Sequence, residues 1–193
     1  VAQLWIDMNL LPGGSGNWLL TTIDGVAPSS LQYANGQFPE AMVSPSVSTN
    51  ASNYVAPTGV TSITLTGSST QTVTGNSAGD TFVSSNATAN HLIGGTGNDT
   101  FYLGRGGDIV TGGGGADTFV MKEFAWASGG QITDFSSQDV LDVSSMLQRY
   151  GYVGSNALAD GVLSLASDGK GGAQVWIDMD RLPGGSGNWL LTT

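Results

Sequence analysis

The sequence predicts an all-β chain built round a parallel β-roll, flanked by antiparallel hairpins and a cap, with little helix. Three observations carry that prediction. Asp99, Asp108 and Asp117 recur every nine residues between Gly94 and Val120, and two positions after each comes an apolar residue, Phe101, Val110 or Phe119. Glycines cluster just before each aspartate, in GGTGNDTFY, LGRGGDIVT and GGGGADTFV. Elsewhere apolar and polar residues alternate over short runs, as around Ile63 and Leu65 or Val175 and Ile177, which is the period of a strand.

The nine-residue unit has a direct physical reading. Residues around each apolar position form a short strand whose side chain enters a narrow core, and the glycines turn the chain, often at positive φ. Counting back nine from Asp99 reaches Asn90, with Leu92 in the apolar place; GNSAGDTFV, Gly75 to Val83, is a related unit one residue out of phase. Two units complete a coil, so equivalent turns on one side lie two units apart. Asp99 then stacks near Asp117 and Asp80 near Asp99, while Asn90 and Asp108 stack on the opposite side. Stacked carboxylates repel, and turn carbonyls point into the same gap. A hard divalent cation answers both problems, and calcium, which takes 6–8 oxygens, suits such a gap better than magnesium. The candidate ligands are the side chains of Asp80, Asn90, Asp99, Asp108 and Asp117 and the turn residues Gly94, Thr96, Gly104, Gly106, Gly113 and Gly115. Asn90 is a weaker ligand than aspartate, so its site is expected to be partial.

These units resemble the glycine-rich nonapeptide of RTX proteins, which implies a calcium-filled solenoid. The segment Ile132 to Ser144, of the form IxDFxxxDxLDxS, is similar to the region that follows the roll in many type I secreted proteins. The resemblance implies that this region caps the roll, and adds Asp134, Asp139 and Asp142 as candidate ligands.

Composition narrows the function. Fifteen acids stand against five bases, a net charge of −10, so nucleic-acid binding is not expected. There is no cysteine, hence no disulfide framework and no thiolate metal site. Hydrophobic residues make up 39% of the chain, too many for a disordered one, and no apolar run is long enough to span a membrane. The paucity of lysine and the abundance of Gly, Ser, Thr and Asn suit an extracellular or cell-surface bacterial protein. No cleavable leader is visible at Val1, as expected of a type I substrate and equally of a piece of a longer protein.

In chain order, residues 1–36 read as the end of a preceding repeat, 37–58 as a Pro/Ser/Asn linker, and 59–193 as the roll module, with the roll at about 75–120 and the cap and C-terminal hairpin at 121–193. Ala2–Thr22 and Ala173–Thr193 are identical at 18 of 21 positions, differing only at Leu4/Val175, Asn9/Asp180 and Leu10/Arg181, with an offset of 171. Each copy reads as a hairpin, with a strong turn at Pro183–Gly187 in the second. Asp178 and Asp180 there are either a further calcium site or solvent-facing acids. Trp5, Trp18, Trp176 and Trp189 are expected in the core rather than stacking on sugars. Residues 143–150 read as a short helix with Arg149 near its C-terminus, and 161–166 as a strand.

No enzyme is expected. His91, the only histidine, lacks a partner for zinc. No nucleophile elbow or phosphate-binding loop is present, and the carboxylates recur as a ladder rather than as an acid/base pair. The expected function is a secreted module that folds on calcium outside the cell and acts as a structural or assembly repeat of an adhesin, filament or surface protein. The expected partners are calcium and neighbouring repeats or further copies met through the terminal hairpins. Two alternatives are the C-terminal secretion and folding module of a type I secreted enzyme, and a calcium-dependent carbohydrate-binding module. A metal-free roll is expected to unfold.

Overall fold

A computed structural model describes the backbone of residues 2–7 and 17–23 and the whole of residues 45–123 and 130–193. The remainder of 1–44 and residues 124–129 of the expected cap lie outside the described residues.

Eleven short strands coil into two parallel sheets. One sheet contains β3 (Ser46–Thr49), β5 (Ser62–Leu65), β7 (Thr81–Ser84), β9 (Thr100–Leu103), β11 (Thr118–Met121) and β13 (Val140–Asp142), in that spatial order. The other contains β4 (Asn53–Val55), β6 (Thr72–Thr74), β8 (His91–Gly95), β10 (Ile109–Gly113) and β12 (Gln131–Ile132). Successive strands alternate between the sheets, so each coil uses one strand of each, and like stacks on like about 4.8 Å apart. Ile63, Phe82, Phe101, Phe119 and Leu141 are in register in the first sheet. Tyr54, Val73, Leu92, Val110 and Ile132 are in register in the second. Ile63, Phe82, Phe101, Phe119, Val73, Leu92 and Val110 are wholly buried. The rings of Phe82 and Phe101 stack at 4.7 Å between centroids and those of Phe101 and Phe119 at 5.2 Å. Phe135 tilts against Phe119 at the end of the column and is half exposed.

The roll is longer than its nine-residue signature. Paired residues in adjacent coils are 18 apart only from His91 to Ile109 and from Thr100 to Thr118. The return is 19 residues at Ser62–Thr81 and 22 at Thr118–Val140. Strands β3 and β4, inside the expected linker, pair in register with β5 and β6 because Val47 and Tyr54 keep one apolar residue per strand. Likewise β12 and β13 add a coil after Val120, where the period had stopped.

Beyond the roll come α1 (Ser144–Arg149) and an antiparallel sheet of β14 (Leu163–Ser167), β15 (Ala173–Asp178) and β16 (Asn188–Thr192), with a 3-10 turn at Met179–Arg181. Met146, Leu147, Ile177 and Leu191 are buried beneath it. The last strand runs beside β12: Gly130 N–H donates to the Leu191 carbonyl (3.2 Å) and Ile132 N–H to that of Thr193 (2.9 Å). The C-terminal tryptophans are not core. Trp176 is half-buried on the face opposite Ile177, and Trp189 is 39% exposed. Asp178 and Asp180 serve the turn itself: Asp178 accepts from Asp180 N–H and pairs with Arg181, and Asp180 accepts from Gly187 N–H.

At the other terminus β1 (Ala2–Asp7) and β2 (Asn17–Ile23) form an antiparallel hairpin. Its pairs Leu4–Thr21, Trp5–Leu19, Ile6–Trp18 and Asp7–Asn17, with an irregularity between Leu4 and Trp5, recur displaced by 171 in β15 and β16 as Val175–Thr192, Trp176–Leu190, Ile177–Trp189 and Asp178–Asn188, irregularity included.

Phe101→Ala removes the middle of a buried column and is expected to cost about 3–5 kcal/mol in the presence of calcium. Phe135→Ala, at the open end, is expected to cost about 1 kcal/mol. Denaturant unfolding measures both, and equal losses would mean that the column does not tie the coils together.

Candidate metal centre

Strand ends and turns place the acidic residues. On one side of the roll the turns at 75–80, 94–99, 112–117 and 133–139 lie over one another; on the other side lie those at 66–71, 85–90 and 104–108. The last residue of each turn points inward. Asp80, Asp99, Asp108 and Asp117 are no more than 2% exposed, and Asn90 is fully buried.

Asp99, Asp117, Asp108 and Asn90 each reach back one coil. Asp99 Oδ1 accepts from Asp80 N–H at 2.7 Å, and Asp117 Oδ1 from Asp99 N–H at 2.8 Å. Across the roll, Asp108 Oδ1 accepts from Asn90 N–H at 2.9 Å, and Asn90 Oδ1 from Gln71 N–H at 3.0 Å. Asp80 differs, since both its oxygens accept from Asn76, one from the backbone (2.7 Å) and one from the side-chain amide (3.2 Å). Asn90 also turns its amide nitrogen, not a second oxygen, towards Asp108.

The glycines allow turn to lie on turn. Gly113 (φ 101°) and Gly115 (φ 118°) adopt a conformation that side chains resist, and a Cβ at either would strike the Gly95 or Gly97 carbonyl beneath. Gly94 lies against the Gly112 carbonyl and the Asp99 carboxylate, and Thr96 lies beneath Gly114. On the far side Gly104 and Gly106 lie over the carbonyls of Ser84 and Thr88.

Two of the candidate ligands stand apart from this ladder. Asp134 accepts from Gly112 N–H (2.9 Å) and Gly113 N–H (2.8 Å), pinning the last coil down. Asp142 accepts from Ser144 N–H at 2.9 Å, turning the chain into α1. Asp139, by contrast, continues the ladder: it accepts from Asp117 N–H at 2.9 Å and Ser136 N–H at 2.7 Å. Its signal was present in the sequence, because Leu141 follows it by two positions as Phe119 follows Asp117.

Two buried acceptors, Asp99 Oδ2 and Asp108 Oδ2, have no hydrogen-bond partner. A buried unpartnered carboxylate oxygen is costly, and its usual remedy is a proton or a cation. Among the described residues no three Asp, Glu or His side chains converge as a self-sufficient metal cluster. The donors on offer are therefore carboxylate plus backbone carbonyl, an all-oxygen set that fits a hard cation.

Residues 84–119 match the family described as RTX calcium-binding nonapeptide repeat, in four copies. The roll is an RTX β-roll. RTX nonapeptide repeats bind calcium. No curated protein and no solved structure matches the chain.

Without a cation the RTX roll carries its carboxylates uneasily. Burial, reinforced by the charges of Asp117 and Asp80, pushes Asp99 up to about 7, against the opposing hydrogen bond from Asp80. Burial also raises Asp80, Asp108 and Asp117. A carboxyl that ionises less readily folded than unfolded stabilises the fold while it is protonated. For Asp99 that contribution is complete below its ordinary value of 3.8 and is lost as pH rises through about 7. In metal-free buffer the β signal in circular dichroism is therefore expected to grow as pH falls from 8 to 4, and a loss across that window would contradict the assignment of these buried groups.

Proposed function

We propose that this chain is a secreted module that folds on calcium outside the cell and serves as a structural, assembling repeat of an extracellular adhesin, filament or surface protein. The observation that carries the calcium-dependent folding is the Asp99–Asp117 rung, with a buried unpartnered oxygen on Asp99 and the Gly95 and Gly97 carbonyls turned to the coil above. Asp99 and Asp117 hold the ion there together with turn carbonyls, and Asp108 offers a second place. Binding free energy is then folding free energy. Extracellular modules bind calcium at about 10⁻⁴–10⁻³ M, so the chain stays unfolded where calcium is scarce and folds after export. RTX repeats are typical of secreted bacterial proteins, which supports the location.

The duplicated hairpin supports the assembly role. In the second copy β15 pairs with β14 on one side and β16 on the other, and β14 is the outer strand of that sheet. Leu165 on β14 is 63% exposed. The first hairpin carries the same pairing and gives a neighbouring repeat or another copy a strand to add to that edge. The exposed Trp189 favours a second reading, binding of a glycan by ring stacking, which a glycan array in calcium and in chelator would test.

Calcium titration followed by circular dichroism tests the first half. Asp117→Asn is expected to raise the midpoint roughly tenfold, the worth of one charged contact. Asp80→Asn is expected to raise it less, because Asn76 already serves both oxygens of Asp80. No response to calcium would sink the reading. Sedimentation tests the second half: the chain is expected to associate with rising concentration in calcium, and a strict monomer would reject assembly through the hairpins.

A further inference from the structure

The coils of the roll are joined by different means along its length. In the early coils side-chain amides reach back to carbonyls of the coil before. Gln71 Nε2 donates to the carbonyls of Thr49 (3.1 Å) and Ala51 (3.0 Å), Asn76 Nδ2 to that of Val60 (2.7 Å), and Asn86 Nδ2 to that of Gly67 (3.0 Å). The orientation of each amide follows from its other end. Gln71 Oε1 accepts from Gly67 N–H (3.0 Å), Asn76 Oδ1 from Ala78 N–H (2.8 Å) and Asn86 Oδ1 from Thr88 N–H (3.3 Å). The nitrogen is thus the end that faces the preceding coil.

Asn90 is set the other way round, its oxygen rather than its nitrogen facing the coil before. Its Oδ1 is taken by Gln71 N–H, and its nitrogen sits among four oxygens: Ser84 Oγ (3.1 Å), Asn86 Oδ1 (2.9 Å), the Thr88 carbonyl (2.9 Å) and Asp108 Oδ1 (3.0 Å). One donor atom ringed by oxygens does here what a cation does in an oxygen cage.

The later coils lose these donors. Register puts Gly95 and then Gly113 where Asn76 stands, and Asp108 where Gln71 and Asn90 stand. There the Gly95 carbonyl accepts from Gly114 N–H (2.9 Å), the Gly97 carbonyl lies under Gly115, Asn98 Oδ1 accepts from Ala116 N–H (2.9 Å), and one oxygen each of Asp99 and Asp108 stays unpartnered. Charge divides at the same place. Residues 45–79 contain no Asp, Glu, Lys or Arg, whereas the stretch from Asp80 to Asp142 contains eight acids, including Glu123, and only Arg105 and Lys122 as bases. Asp80, the one acid of the coils up to Asn90, has both oxygens served by Asn76, so repulsion that needs a counter-ion falls on the coils from Asp99 onward.

We infer that calcium is required only by the coils from Asp99 to Asp139, while the coils from Ser46 to Asn90 are closed by the amides of Gln71, Asn76, Asn86 and Asn90 and form without metal. The early coils then offer the edges of β6 and β7 as a template on which the calcium-dependent coils assemble. This inference rests on the calcium reading above and narrows the expectation that the whole roll unfolds without metal.

Hydrogen exchange of the full chain, read by peptide in calcium and in chelator, tests it. The expected result is that chelator removes protection from 100–121 and 131–142, while 62–84 still exchanges at least about tenfold slower than an unfolded chain. Loss of protection in 62–84 as well would overturn the inference and leave the calcium reading standing. No change in either region would overturn both. A second measurement uses Asn76→Asp, which exchanges the amide donor for a carboxylate. Protection of 62–84 should then become calcium-dependent; metal-free protection equal to that of the parent chain, or loss of protection even in calcium, would refute the amide as the substitute for an ion.

Discussion

Parallel coiling forces like residues onto like, and the rest of the structure follows from how each stack tolerates that. A column of phenylalanines gains from it: Phe82, Phe101 and Phe119 bury one another and stack at close ring distances. A column of aspartates does not. Except at Asp80, which Asn76 of its own turn serves, each carboxylate is tied by the backbone N–H of the coil before it, which compensates part of its burial, but a second oxygen on Asp99 and on Asp108 is left without a partner. The same geometry that builds the core therefore builds a demand for positive charge along the edges. Core and edge are coupled because one turn positions both, the aspartate and, two residues later, the buried ring.

Much of this was legible in the sequence, and the limits have physical causes. The nine-residue period is visible only where the coil return is 18 residues, so it reveals β8 to β11 and hides the rest. Coils returning after 19 or 22 residues add or lengthen turns while the strands stay in register, because pairing constrains strands and leaves turn length free. That is why β3 and β4 read as linker and why Asp139 escaped the ladder it completes. The pairing of Asp99 with Asp117 and of Asn90 with Asp108 needed only the rule of two units per coil. The behaviour of Asn90 needed coordinates. As a letter it is a weakened aspartate; in place its nitrogen is the working end, since Gln71 N–H claims the oxygen. The tryptophans failed for a related reason. Alternation separates two faces without saying which is inside, and the inside face of β15 belongs to Val175 and Ile177.

The cap solves the remaining problem of a parallel roll, its open edge. A sheet edge left with unpaired N–H and C=O groups recruits other strands. The five-stranded sheet ends at β12, and the chain brings its own last strand back to it through Gly130 and Ile132. The antiparallel sheet is thus more than an appendage: its third strand finishes the roll, and Leu191 on that strand is buried in the same apolar cluster as Phe119.

That arrangement decides which edge is open to the duplicated hairpin. The edge at β12 is already held by β16 of the same chain, and a tethered strand acts at an effective concentration of about a millimolar, which a free copy at ordinary concentration does not match. Strand exchange at β12 is therefore disfavoured for a separate molecule, even one with an identical hairpin. The outer side of β14 is different. Among the described residues its sheet neighbour is β15 alone, and its residues after Leu163 are exposed on both faces. Addition there displaces nothing, so it sets chain against chain without unfolding either cap. The assembly proposed above would join the cap of one module to the leading hairpin of the next, and because each cap sits on the coils inferred to need calcium, the joint would exist only where the roll does.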